Sequence, residues 1–306
     1  MTVIFLSFTI TIVAILTAMP QTTAAFSTMN VPNHISPEEA EHGKEPNFHK
    51  ILERVGKTCL RPGGTVATVK LMDWSSNDLG SHSKVLELSA GLGRTGLLFA
   101  ERFECDVWIT DIDENRLKKA QELASQKSLD SLVHTKTVDM FDIDSGLGKD
   151  SYFDCAITEA SLTHFSLDKK RDFFTNLAPH TDQYLLHEIC FKTDDPNIQK
   201  QVRREMQQVL KISFFPETES TWHQLLKGAG FTNVNIDKER QVGDISIVNP
   251  STLLQDEGPW GLANIIKNIA TQPYTRSRVL ATRAALMRNR KYLGYIIIRA
   301  TKPKTK

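Results

Sequence analysis

Glu87, Ser89, Gly91, Gly93 and Asp111 carry the first chemistry legible in this chain. Glu87 lies inside a short apolar run, 85–88. Small residues follow at Ser89, Ala90, Gly91, Gly93 and Gly96, then a helix-like segment at 97–103. A second apolar run, 107–110, ends on Asp111. Strand, glycine turn, helix, strand and terminal acid make a βαβ nucleotide-binding unit. The glycines let the backbone approach a ligand, and an acid at the second strand's tip can accept from both ribose hydroxyls. Gly91, Gly93 and Gly96 formally fit the dinucleotide spacing. Glu87, four residues before Gly91, is foreign to it: a pyrophosphate has no use for a carboxylate there, whereas a ligand with an amino group does. An ordinary Rossmann-like unit serving another ligand stays open at this point.

With Glu87, small residues and Gly91-x-Gly93 in that order, the chain resembles the class I S-adenosylmethionine-dependent methyltransferases. The resemblance implies that Glu87, Ser89, Gly91 and Gly93 line the methionine end of the cofactor. Asp111, with Ile112 beside it, would take the ribose. Ser89 is a departure, since a glycine is commoner there. By the same resemblance Asp139, directly after the third strand, would hold the adenine amino group, with Met140 beside the ring. The phrase FDCAITEASLTHF at 153–165 is similar to the fourth-strand segment of small-molecule methyltransferases. Its end, Glu159 to His164, would face the transferring methyl group, because ligands of open α/β sheets sit at strand C-termini. The later segments HEI, STWHQLLKGAGF, LLQDEGPWG and RSRVLATRAALMRNRKYLGYIIIRATK extend the likeness over residues 48–302, toward a subgroup with varied acceptors.

Methyl transfer from a sulfonium is an in-line displacement with a neutral leaving group, so alignment and water exclusion dominate. An amine or hydroxyl acceptor needs a base. His164 and Glu159 are the leading candidates, followed by His187 and Glu188. The last two stand in one strand-like run, 184–191, and alternation sends them to opposite faces. A thioether or tertiary amine needs no base. Arg283 or Arg288 would then matter more, by pairing with an acceptor carboxylate, and Trp74 is a further candidate for the acceptor pocket. A small sulfur- or nitrogen-containing acid fits that picture.

The elements that must position these groups follow in order. Residues 26–47 read as a polar linker. A short amphipathic helix at 48–55 ends at Gly56, and a helix at 66–74 follows the turn 60–65. Asp113 is placed to cap a helix at 114–126. Strands are expected at 132–138, 152–159, 184–191, 231–236 and 292–300, helices at 167–177, 197–211 and 222–227. The expected fold is α/β: a Rossmann-like, seven-stranded, mostly parallel sheet with an antiparallel last strand. Residues 237–291 are too long for a hairpin loop and are read as a helical cap insertion, with helices at 262–270 and 274–289.

The chain has 306 residues, 40% of them hydrophobic and 24% charged, with a formal net charge of +1. These totals describe one large or two small globular domains and argue against a nucleic-acid partner that needs a basic field. No acid follows Glu257, while seven Arg or Lys occupy 276–299: a solvated basic face, or the wall of an anion-attracting pocket. Four cysteines at 59, 105, 155 and 190 have no metal-ligand spacing, so no metal is expected, and buried thiols are the reading. The apolar, uncharged residues 1–19 and the small residues before Phe26 read as a signal or targeting peptide cleaved after Ala25, or as an uncleaved anchor. That implies entry to the secretory route or to an algal-type plastid, or a cytoplasmic form starting at Met29. The tail 303–306 is basic. The implied partner is a small-molecule methyl acceptor. Two alternatives in other classes are a NAD(P)-linked oxidoreductase and a non-catalytic cofactor-binding subunit.

Overall fold

A computed structural model describes residues 46–303, save 242–244 and 246–248. The targeting segment, most of the linker, most of the basic tail and part of the insertion's first turn lie outside the described residues. Among the described residues two helices, α1 (Phe48–Val55) and α2 (Gly64–Ser75), precede the sheet. There follow β1 (Lys84–Leu88), α3 (Arg94–Phe103), β2 (Asp106–Asp111), α4 (Glu114–Gln126), β3 (Val133–Thr137), the short α5 (Ile143–Leu147), β4 (Cys155–Glu159), α6 (Leu167–Leu177) and β5 (Gln183–Phe191). The second half contains α7 (Pro196–Leu210), β6 (Glu217–Thr218), α8 (Glu219–Gly228), β7 (Asn233–Gln241), α9 (Pro250–Thr271), α10 (Pro273–Arg288) and β8 (Leu293–Thr301).

The sheet runs β3-β2-β1-β4-β5-β8-β7, with β6 paired to the end of β5. It has eight strands rather than the expected seven, because two residues of β6 join β5 at Cys190 and Phe191. Strands β1 to β6 are parallel, and β8 runs antiparallel to both β5 and β7. Strand order reverses between β1 and β4, which opens the crevice where open α/β sheets take ligands.

Period-two burial divides the core. Val85, Val107, Ile109, Ile157 and Leu185 point to one face, where α2, α3, α4, α7 and α10 cover them. Leu86, Leu88, Ala156, Tyr184 and Leu186 point to the other, under α6 and α8. Both faces are covered, as a parallel sheet requires. Asp113 caps α4, accepting the Asn115 N–H at 2.9 Å, and Gly56 closes α1 in the left-handed conformation, both as the sequence suggests. The four cysteines are buried and free.

The insertion between β7 and β8 is helical, but its first helix is longer than expected. α9 starts at Pro250 and continues through a break at Gly258, where φ is 70°, followed by Pro259. The sequence reading places this helix at 262–270 only; the chain is already helical from Pro250 and resumes helix after the kink. α9 and α10 pack on α1, so the insertion and the N-terminal segment form one structure above the sheet's C-terminal edge. No helix among the described residues is long and apolar enough to cross a membrane.

Candidate active site

The glycine turn after β1 holds its shape through Asp111. One Asp111 carboxylate oxygen accepts the Gly91 N–H at 2.7 Å, and the other accepts the Asp113 N–H at 3.0 Å. Gly91 and Gly93 are left-handed, with φ of 59° and 66°. Glu87 is buried beneath them and accepts the Gly96 N–H at 2.7 Å. Burial pushes its carboxyl up to about 8; the Gly96 N–H and Arg61 offset only part of that. Ser89 is also left-handed, with φ of 54°, which gives the physical reason a glycine is commoner at that position.

These residues line a cavity of about 430 Å³ at the switch point, within the range of small-molecule sites, roughly 300–1,000 Å³. Glu87, Ser89, Gly91, Asp111, Ile112 and Glu159 all face it. Ile112 is 73% exposed, a bare aliphatic platform on its rim. Gly93 supports the turn from beneath: a Cβ there would come within 2.7 Å of Ile109. Two buried polar atoms of residues lining the cavity lack a hydrogen-bond partner among the described residues, the Arg61 Nη2 and the Ser161 Oγ. A zwitterionic ligand with a ribose fits this donor and acceptor set: carboxylates for an ammonium and for hydroxyls, and free N–H and O–H groups for an anionic end.

Glu159, at the tip of β4, is the hub of a buried network. It pairs with Arg61 at 3.3 Å and accepts from Thr68 Oγ1 at 2.9 Å, from Thr95 Oγ1 and from His187 Nδ1 at 3.0 Å. Burial alone would raise its carboxyl, but Arg61 and the His187 bond outweigh it and hold it at about 2. A carboxylate so well satisfied is a poor proton acceptor, which removes Glu159 from the role of base. His187 is fully buried and engaged on both nitrogens, since its Nε2 accepts the Gly63 N–H at 3.0 Å. It is a positioning residue, not a catalytic one. Glu188, on the opposite face, accepts the backbone N–H groups of Ser161, Leu162 and Thr163 and fixes the turn after β4.

His164 ends that turn and is the candidate that keeps a free nitrogen in the site. Its Nδ1 bonds the Ser213 carbonyl at 2.8 Å. A carbonyl only accepts, so Nδ1 donates there, and Nε2 has no hydrogen-bond partner among the described residues. His49 of α1 stacks edge-on against it, ring centroids 5.0 Å apart. Burial first, then His164 and Arg116, lower His49 to about 4, so it is neutral near pH 7.

A second, smaller chamber of about 100 Å³ adjoins the cavity. The two share His49, Leu60, Arg61, Ala160 and His164. Its walls are apolar, with Phe48, Leu52, Met206, Leu210, Phe214 and Leu286 among them. The residues expected at an acceptor site from the basic run are elsewhere. Arg288 is spent on Glu205, with contacts of 2.9 and 2.6 Å. Arg283 lines neither cavity, and Trp74 packs half-buried against the core under the Lys70 ammonium. Asp139 and Met140 line neither cavity. Asp139 is exposed and accepts the Phe141 N–H at 2.9 Å, and Met140 is in the core beside Ile143 and Phe153.

Sequence reasoning missed the clasp that holds α1 and α2 over the site. Glu257 accepts the Thr58 and Cys59 N–H groups, each at 2.9 Å, and the Thr58 hydroxyl at 2.6 Å. Asp256 accepts the Thr65 N–H at 2.8 Å at the start of α2. Gly64, with φ of 58°, makes this approach: a Cβ there would lie 2.2 Å from Asp256. The only sequence signals were the Gly63-Gly64 pair and the lone acidic pair before Gly258.

A family model described as a methyltransferase domain matches residues 85–183. An uncharacterised protein of Haemophilus influenzae is 29% identical over 231 residues, 74% of this chain and 86% of its own. A candidate sarcosine dimethylglycine methyltransferase from Galdieria sulphuraria superposes with a TM-score of 0.60 at 15% identity, over 83% of this chain and 97% of the other. Phosphoethanolamine N-methyltransferase 2 of Haemonchus contortus, solved with phosphomonomethylethanolamine and S-adenosylhomocysteine, gives 0.60 at 15% identity, over 83% and 57%. At such identities the structures speak for the fold alone. The comparisons thus give this chain a methyltransferase domain match over residues 85–183, which holds the glycine turn between its two acids, and a fold shared with solved methyltransferases.

Proposed function

We propose that the protein methylates a small-molecule acceptor from S-adenosylmethionine, the acceptor sitting in the apolar chamber. The observation that carries this reading is the junction: the cavity bearing Glu87 and Asp111 meets the chamber at His164 and Arg61. The bound donor would supply an electrophilic methyl group on a sulfonium that departs as a neutral thioether. Asp111 would take the ribose hydroxyls, Glu87 the ammonium, Arg61 through its free Nη2 the carboxylate, and Ile112 the face of the adenine. Because no charge develops on the leaving group, the chain's work is alignment and dryness. The clasped helices α1 and α2 and the apolar chamber walls do both.

His164 decides what kind of acceptor is favoured. Its Nε2 at the junction can take the proton lost by an O–H or N–H as the new carbon–heteroatom bond forms, which favours protic acceptors over thioethers. The two solved relatives described above are named for methyl transfer to small amines, in keeping with a nitrogen acceptor. A small sulfur-containing acid becomes the second choice, because Arg283 and Arg288 do not reach the chamber. In the test, purified protein is incubated with methyl-labelled cofactor and a metabolite extract, and the product is identified. Label should enter one small compound, and His164→Ala should reduce the rate. Stabilisation by NAD and not by S-adenosylhomocysteine in a thermal-shift assay would overturn the reading in favour of an oxidoreductase.

A further inference from the structure

Three residues lining the apolar chamber carry a buried polar atom without a hydrogen-bond partner among the described residues: Lys57, whose ammonium lies 3.5 Å from Asp256 and Glu257, Arg61 at the mouth, and Thr282, the one neutral group of the three. Thr282, on the insertion helix α10, is fully buried, lines the chamber, and its hydroxyl finds no hydrogen-bond partner among the described residues. Buried hydroxyls are almost always paired. Helical threonines commonly satisfy themselves on the carbonyl four residues back, and this one does not. It stands away from the junction, since it is absent from the residues shared with the larger cavity. The chamber therefore has polar groups at its mouth, His164 and Arg61, and beyond it the ion-paired Lys57 and the unpaired hydroxyl of Thr282, set in a mostly apolar wall.

We propose that Thr282 is a specificity-determining residue whose hydroxyl bonds a polar group on the acceptor, remote from the atom that is methylated. The acceptor is thereby a two-ended molecule. A protic nitrogen or oxygen meets His164, a compact hydrocarbon body fills the chamber, and a hydroxyl, carbonyl or amine meets Thr282. Size bounds the body. An apolar cavity of ~150 Å³ takes up benzene, so about 100 Å³ holds four to six carbons, the larger ones extending into the mouth. This rests on the assignment of the larger cavity to the cofactor.

The test uses the full chain saturated with S-adenosylhomocysteine, which fills the cofactor cavity, and calorimetry with two matched pairs of probes: 1-butanol against 1,4-butanediol, and phenol against hydroquinone. In the wild type the two-ended member of at least one pair should bind tenfold or more tighter than its one-ended partner. Thr282→Val, which keeps the shape and removes the hydroxyl, should bring that ratio close to one while leaving S-adenosylhomocysteine affinity unchanged. Thr282→Ser should retain the ratio, and Thr282→Ala replaces the valine variant should that one fail to fold. A ratio unaltered in Thr282→Val, or no binding of either pair to the S-adenosylhomocysteine complex, overturns the proposal. Absence of S-adenosylhomocysteine binding by the wild type is a different failure: it removes the cofactor assignment, and this proposal with it.

Discussion

Glu159 and His187 are register partners across the β4–β5 pair and share a 3.0 Å hydrogen bond. The same imidazole accepts the Gly63 N–H ahead of α2. One buried ring thus ties the sheet edge to the segment that roofs the site. Its neutral form, protonated on Nδ1, satisfies both contacts at once.

The two histidines should separate cleanly by mutation. His187→Phe strips a bond from a buried carboxylate and leaves the Gly63 N–H unpaired. Each such loss costs about 1–3 kcal/mol, so urea unfolding should show a deficit of ~2–4 kcal/mol. His164→Ala removes a group with a single backbone contact and should cost under about 1 kcal/mol. Loss of a general base lowers transfer to a protic acceptor by roughly 10²–10⁴-fold. A His164→Ala enzyme with wild-type turnover would remove it from the chemistry.

Glu87 should give a pH signature. Its folded carboxyl is raised to about 8, chiefly by burial, against an ordinary value of 4.5. Below pH 4.5 both folded and unfolded states hold the proton. Between 4.5 and 8 the unfolded chain releases it while the folded one keeps it, so the apo protein loses stability as pH rises through that window. Glu87→Gln abolishes this dependence. Its advantage over wild type should grow by on the order of 1 kcal/mol per pH unit between pH 5.5 and 7.5. A ligand ammonium would ionise Glu87, so donor binding at pH 7 should release close to one proton in the wild type and none in the variant. Calorimetry in buffers of different ionisation enthalpy reads this directly.

Ser89 holds a left-handed conformation that an L-residue adopts at a cost of about 1–2 kcal/mol. Glycine removes the strain and adds unfolded-state entropy, so Ser89→Gly should stabilise by a net ~0.5–1 kcal/mol, about 2 °C in Tm for a domain of this size. A lower Tm would show that the serine hydroxyl does something the backbone geometry does not reveal.

Much of this site was legible because it is local. Glu87, the glycines and Asp111 lie within one βαβ unit, where spacing alone brings them together, and the βα pattern gave the strands from β1 to β5 to within a few residues. Residues recruited from afar were not legible. Lys57, Thr58 and His49 look like surface polar groups of a short helix and its exit, and nothing in their spacing points to Glu257 two hundred positions on. The basic run 276–299 misled for the opposite reason. Charge in sequence does not say where a helix face turns, and α10 gives Arg288 to Glu205 while presenting Thr282 and Leu286 to the chamber. β6 was missed because two residues carry no period.

The clasp makes the last prediction. Glu257 satisfies two backbone N–H groups and a hydroxyl between α1 and α2 and lies 3.5 Å from the Lys57 ammonium. Burial works to raise its carboxyl, and the bonds from Thr58 and Cys59 more than offset it, so the net shift is downward. A depressed carboxylate stabilises the fold above its unfolded value and loses that contribution as pH falls through the folded one. The clasp should therefore hold at neutral pH and weaken in acid. Glu257→Ala leaves the N–H groups unpaired and Lys57 with Asp256 alone at 3.5 Å, at a cost of ~2–4 kcal/mol. The loss should be regional: amide exchange at Thr58 and Cys59 should accelerate, and trypsin should cut after Lys57 sooner, while the amides of β1, β4 and β5 keep their protection. Unchanged exchange at Thr58 and Cys59 would mean that the apolar contacts of α1 with α9 and α10 hold the roof without it.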